Sequence, residues 1–150
     1  MAVLREQPYG RFNFLVDLGT GDGDGPDGGF QECSPIAMEV AVAEYRNGND
    51  RENAPRKVAG LTRVADVTLR RGIIGSLTLF EWIRQVRDGD QATRTVTIQL
   101  VSEDHGGPVL VWRLLRARPV RFATGPLDAR SAGDVAMEEL TLSYERLELE

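Results

Sequence analysis

His105 is the only histidine in the chain, so a histidine general base or a Ser-His-Asp triad would have to be built on it. It lies in SEDHGGP (102–108), a stretch of turn-forming residues in which an exposed polar side chain is expected. The glycine-rich DGDGPDGG (22–29) opens like a calcium loop, because Asp22 and Asp24 have D-x-D spacing. The correspondence then fails. Pro26 takes the fifth position, Asp27 takes the sixth where glycine is needed, and Cys33 takes the twelfth where a bidentate glutamate belongs. Cys33 is the sole cysteine, which excludes an internal disulfide and a cysteine-based zinc site.

The remaining candidates fare no better. Glu138 and Glu139 are adjacent in a strand-like stretch, so they project to opposite faces and cannot share a proton. Arg70 and Arg71 precede Gly72 and could touch phosphate, but at a strand end they read as one arginine on each face. Trp82 could stack on a ligand, yet it falls on the apolar stripe of a helix-like stretch and reads as core. No phosphate-binding glycine motif follows a strand and opens a helix. No catalytic residue, metal site or cofactor is expected, and the chain is not expected to be an enzyme.

Strand patterns dominate the elements that must carry these residues. FNFLVDLG (12–19) places Phe12, Phe14, Val16 and Leu18 on one face. IAMEVAVAEY (36–45) places Ile36, Met38, Val40 and Val42 on one face and Ala37, Glu39, Ala41, Ala43 and Tyr45 on the other, as in a half-buried strand. Leu61, Ala65, Val67 and Leu69 continue at period two. The period then changes: Leu79, Trp82, Ile83 and Val86 form a helical stripe, predicting a helix over about residues 76–88. Ser76 or Thr78 could cap it, with Glu81 completing a capping box, and Gly89 could stop it. Three further alternating stretches follow, at 93–102, 109–122 and 135–150. About six strands and one helix predict a mainly β fold of two packed antiparallel sheets, barrel-like, with the helix across an open end. No repeat or linker divides the 150 residues, and a single domain over 1–150 is expected.

The balance of charge is mildly acidic, 23 acidic against 18 basic residues for a net charge of -5, which disfavours a dedicated nucleic-acid binder. Lys57 is the only lysine and every other basic residue is arginine. Neither a membrane-spanning apolar run nor a signal-peptide core is present, so synthesis in the cytoplasm without membrane anchoring is expected.

RNGNDRENAPRK (46–57) lies between two strand-like stretches, is far longer than a hairpin needs and has no large apolar side chain. It reads as an extended polar arm rather than part of a core.

The run RKVAGLTRVADVTLRRGIIGSLTLFEW (56–82) resembles the central block of the tail-tube proteins of contractile phage tails and contractile injection systems. PYGRFNFLVDL resembles the first strand of that family, and GGFQECSPIAMEVAVAEYRNGND its second strand running into a polar arm. VWRLLRARPVRF and VAMEELTLSYERLEL resemble its last two strands, so the similarity spans nearly the whole chain in order. It implies a barrel-like subunit with one helix, related in fold to the type VI secretion tube protein. Such subunits form hexameric rings stacked into a hollow tube within a contractile sheath. The implied partners are further copies of the chain, the sheath protein, baseplate or tube-initiator and terminator proteins, and DNA or effector protein as cargo in the lumen. The implied final location is the tail tube of a virion or injection particle.

On this resemblance the arm residues Arg46, Asn47, Asp50, Arg51, Glu52, Arg56 and Lys57 are expected to meet a neighbouring subunit or ring. Glu39, flanked by Ala37, Ala41 and Ala43, is the candidate for a lumen-facing residue in an acidic bore. The alternatives are a non-catalytic binding module that uses the arm and glycine turn as ligand loops, or a related tail component such as a tube-initiator or terminator ring.

Overall fold

The structure, a computed structural model, describes residues 4–20 and 28–150. Nine strands and one helix follow one another among them: β1 (Phe14–Asp17), β2 (Glu32–Cys33), β3 (Met38–Tyr45), β4 (Arg56–Val64), β5 (Val67–Gly72), α1 (Thr78–Arg87), β6 (Arg94–Val101), β7 (Pro108–Thr124), β8 (Met137–Ser143) and β9 (Arg146–Leu149). They form two antiparallel sheets. Seven strands run in the order β1-β6-β7-β8-β5-β2, with β9 also on β7, and β3 pairs with β4 alone.

The large sheet curls around one core but does not close into a barrel, because β1 and β2 remain at its two ends. Inward residues from both halves join a single cluster: Val16, Val96 and Ile98 on one side, Val67, Leu69, Leu140 and Leu142 on the other. The curl is built into β7. Between the pairs Arg94↔Ala117 and Val96↔Leu114 it has one residue more than β6, and Arg116 there takes a left-handed φ of 53°. A second irregularity separates the pairs Pro119↔Leu142 and Arg121↔Thr141. Such bulges bend a strand and increase its twist, so the 17-residue β7 pairs with β6 and β9 along its first part and with β8 along its second.

The helix is one to two residues shorter at each end than the sequence pattern predicts. Leu79 and Trp82 are buried, with Ile83 and Val86 half-buried beside them, as their spacing requires. The Thr78–Glu81 capping box does not form: Leu77 occupies the cap position, and the Ser76 hydroxyl oxygen accepts the Thr78 N–H at 3.3 Å. Gly89, with φ of 95°, ends the helix in the conformation that favours glycine.

Two stretches read as single strands are broken. Residues 60–72 divide between β4 and β5, and 135–150 divide between β8 and β9. The larger correction concerns 36–45. Met38, Val40 and Val42 do not face the core, for every residue of β3 is exposed. The polar arm is thus the tip of a longer projection that includes both flanking strands.

Candidate assembly surface

The residues singled out for chemistry are not brought together. His105 sits at the β6–β7 turn with φ of 59°, its N–H donating to the Ser102 carbonyl at 2.9 Å. Cys33 is half-buried on β2, and burial pushes its thiol up to about 11, away from the reactive thiolate form. Asp22, Asp24, Pro26 and Asp27 of the acidic turn lie outside the described residues. No cluster of metal-ligating side chains occurs among the described residues. Trp82 is a core residue. Its indole N–H donates to the Ala92 carbonyl at 2.6 Å, and the Arg94 guanidinium lies 4.6 Å from the ring centroid.

The two arginines and two glutamates separate by face, as the alternation of their strands dictates. Arg71 and Glu138 are register partners pointing inward, and Arg71 Nε donates to Glu138 Oε1 at 2.8 Å. Both are buried, and the Arg71 guanidinium also lies 5.4 Å from the Phe30 ring centroid. On the outer face Arg70 lies 3.5 Å from both Glu32 and Glu139, and Arg121 pairs with Glu139 as well. The buried arrangement is an ion pair at the rim of the core, in which Arg71 Nε is held by Glu138 Oε1.

The hairpin β3–β4 is the feature without a counterpart in the body. All 17 of its strand residues, eight in β3 and nine in β4, are exposed except the last, Val64. Its register places Met38, Val40, Val42 and Glu44 on one face with Val64, Thr62, Ala59 and Lys57 opposite them. The second face pairs Glu39 with Arg63, Ala43 with Val58 and Tyr45 with Arg56. β4 holds one extra residue between Thr62 and Ala59, and Gly60 is there, where a Cβ would stand 3.2 Å from the Ala41 carbonyl oxygen. A lone two-stranded hairpin is at best marginally stable in water, and contiguous exposed apolar surface marks a contact site.

The tip is organised from within. Asp50 accepts the Asn47 N–H at 3.0 Å and an Arg56 guanidinium N–H at 3.1 Å. Arg46 donates to the carbonyls of Glu52 and Asp50, both at 3.0 Å. Arg46, Asn47, Asp50 and Arg56 therefore shape the arm, whereas the side chains of Arg51, Glu52 and Lys57 have no partner among the described residues. Glu39 lies beside Arg63 in the register of the hairpin, at its base, and is exposed.

The family model described as T4-like virus tail tube protein gp19 matches residues 10–148. The chain belongs to that tail tube family. Solved structures agree with it. A chain of the PVC sheath-tube complex in its extended state, from an extracellular contractile injection system, is 27% identical with a TM-score of 0.82, over 97% of this chain and 93% of that one. A chain of the anti-feeding prophage baseplate is 26% identical with a TM-score of 0.78, over 97% of each. Hcp1 from Flavobacterium johnsoniae, at 13% identity and a TM-score of 0.57 over 91% of this chain and 93% of that one, shares the fold alone. No curated protein matches.

Sequence reasoning about this tail tube chain located the polar tip but missed that β3 and β4 are exposed on both faces. It also missed a second, smaller apolar surface at the start of the helix, formed by Ile73, Ile74, Leu77 and Phe80. The dipeptide Ile73-Ile74 outside any alternating pattern was the available signal for it.

Proposed function

We propose that this chain is a single tail-tube domain over residues 1–150, the inner-tube subunit of a contractile tail or extracellular injection particle. The observation that carries this reading is the β3–β4 hairpin, whose apolar side chains are exposed in a chain of the tail tube family. Hexameric rings of the subunit stack into a hollow tube, and a contracting sheath drives that tube through a target envelope while DNA or effector protein passes along the bore. The work is mechanical and no residue makes or breaks bonds. The sheath, baseplate and terminator proteins are its partners, and it is made in the cytoplasm of the producing cell before it reaches the particle.

The arm residues act at the interface between subunits or rings. Arg51, Glu52 and Lys57 supply exposed charges, and Arg46, Asn47, Asp50 and Arg56 hold the tip in shape. A single exposed ion pair contributes little, but closed symmetry repeats it around every ring. Glu39 faces a polar, acidic lumen, which a polyanion in transit does not grip.

Replacement of residues 47–54 by Asn-Gly tests the reading. The tip adds almost no apolar area, so the variant remains folded by circular dichroism, but it no longer forms tubes in negative stain. Tubes of normal length would show that the tip is idle, and an unfolded variant would show that it belongs to the core. A second reading, a tube-initiating ring, is favoured by the likeness to a chain of a baseplate structure. Discrete rings in place of long tubes from the purified chain would support it.

A further inference from the structure

The tip of the hairpin carries a chemically labile dipeptide. An asparagine can lose its side-chain amide when the next backbone nitrogen attacks its side-chain carbonyl carbon, and glycine in that next position puts no Cβ in the way. The chain has four asparagines, Asn13, Asn47, Asn49 and Asn53, and only Asn47 precedes a glycine.

The structure separates them further by what the following nitrogen is doing. After Asn49, the Asp50 N–H donates to the Asn47 carbonyl at 3.1 Å and closes a turn. After Asn13 and Asn53, Phe14 and Ala54 each place a side chain beside the nitrogen. Gly48 differs on every count. Its N–H makes no hydrogen bond among the described residues, it is exposed, and a Cβ built on it would meet nothing within 4 Å. Gly89, which follows Asp88, shows the opposite arrangement, for its N–H is held by the Val86 carbonyl at 3.2 Å.

The carbonyl under attack is prepared as well. Tyr45, the last residue of β3, donates its hydroxyl to Asn47 Oδ1 at 2.5 Å. That oxygen gains negative charge as attack proceeds, and a donor already aimed at it stabilises the charge as an oxyanion hole does.

We infer that Asn47 is a site of spontaneous deamidation in the folded chain, activated by the Tyr45 hydroxyl. The Gly48 nitrogen gives its proton to solvent base and bonds to Asn47 Cγ. The side-chain nitrogen leaves as ammonia, taking a proton from water, and a succinimide ring is closed. Water then adds to either ring carbonyl, and ring opening leaves aspartate or isoaspartate. The sum is one water consumed and one ammonia released, with no oxidant, metal or second protein. Each chain reacts once, so this is ageing rather than turnover. Both products disturb the tip. Each sets a new carboxylate near Asp50, which already accepts the Asn47 N–H at 3.0 Å, and like charges repel. Isoaspartate also lengthens the main chain inside the turn that Asn47 and Asp50 close. Resting on the reading of the arm as an interface, the modification limits how long an unassembled subunit stays competent.

Mass spectrometry of the purified full-length chain, aged at mildly alkaline pH either folded or in urea, tests this. The folded chain should convert Asn47 at least as fast as the unfolded one, with Asn13, Asn49 and Asn53 lagging, and faster as pH rises because the attacking nitrogen must lose its proton. Tyr45→Phe should slow the folded chain about fivefold, the rate equivalent of roughly one neutral hydrogen bond, and leave the rate in urea unchanged. Gly48→Ala should slow both, and the open space around Gly48 lets it keep the wild-type circular dichroism spectrum. Asn47 that survives in the folded chain while it is lost in urea overturns the inference, as does conversion of Asn49 or Asn53 at the same pace. An unchanged rate in folded Tyr45→Phe overturns the role of the hydroxyl. Aged wild-type chain should form fewer tubes in negative stain than aged Gly48→Ala. Equal tubes from fully deamidated chain would refute the interface reading of Asn47 and leave the deamidation standing.

Discussion

The β3–β4 hairpin and the β5–β8 pair are written in the same alphabet and have opposite fates. MEVAV in β3 and VTL in β5 both alternate apolar residues at period two. In β5 the apolar set reaches zero exposure against Leu140 and Leu142, whereas in β3 the same kind of set is about half exposed. The difference is in neighbours. β5 lies between β8 and β2 within the curled sheet, and β3 has β4 alone. Alternation specifies that one face seeks cover; it does not specify that the cover belongs to the same chain.

The contrast predicts where a substitution damages the subunit and where it damages only assembly. The largest loss of stability should follow Glu138→Ala, which removes a carboxylate partner of the buried Arg71 guanidinium at 2.8 Å, at a cost of up to about 3–5 kcal/mol, read as a lowered urea midpoint. Replacing both partners, Arg71→Met with Glu138→Leu, should lose much less, because both charges of the pair are removed together and neither has to be held in the core. Equal losses from the single and double changes would mean that the pair contributes packing alone.

The hairpin should invert this pattern. Val40→Asp with Val42→Asp should shift the unfolding free energy by under about 1 kcal/mol, as for exposed positions, while tube formation in negative stain is lost. Unfolding comparable to that of Glu138→Ala would erase the distinction between the two regions.

A smaller effect concerns the N-terminal segment, which is tied to the body by one exposed carboxylate. Glu103 accepts from Arg5 and from the Gly10 N–H, both at 2.7 Å, and these bonds hold its carboxyl down from 4.5 to about 2. A depressed folded value means that the unfolded chain binds the proton first, so the tether is at full strength above 4.5 and weakens as pH falls toward 2. Protection of the Gly10 amide, its exchange rate measured against the intrinsic rate at each pH, should fall across that window, and Glu103→Gln should remove the dependence. The smallest effect is expected at the lone histidine. His105→Gly relieves a left-handed backbone in an exposed turn, and should change stability by less than about 1 kcal/mol and leave tubes intact. A loss of any measurable turnover on that change would overturn the non-enzymatic reading.

Much of this was present in the sequence because it depends on local rules. The stripe Leu79, Trp82, Ile83 and Val86 made a helix, and Gly89 ended it in the backbone conformation that glycine favours. Parity in V-T-L-R-R-G and in M-E-E-L-T-L put Arg71 and Glu138 inward and Arg70 and Glu139 outward, so the separation of the two charge pairs was legible before their contact was. The polar tip, with no large apolar side chain, could be read as lying outside a core, and the order of motifs along the chain pointed to the tail tube family.

What the tertiary structure decided was which apolar faces the chain could cover by itself. An extra residue in β7 turns a flat alternation into a sheet that curls around Leu114, Leu140 and Trp82, and nothing in the local pattern reports that curl. The same curl stops short of closure between β1 and β2, leaving Phe14 and Trp112 at an open slot, and it sends Met38, Val40 and Val42 out beyond its edge. Hydrophobic periodicity is a property of neighbouring residues, whereas burial depends on what lies across space, and for β3 the required surface is absent from its own chain.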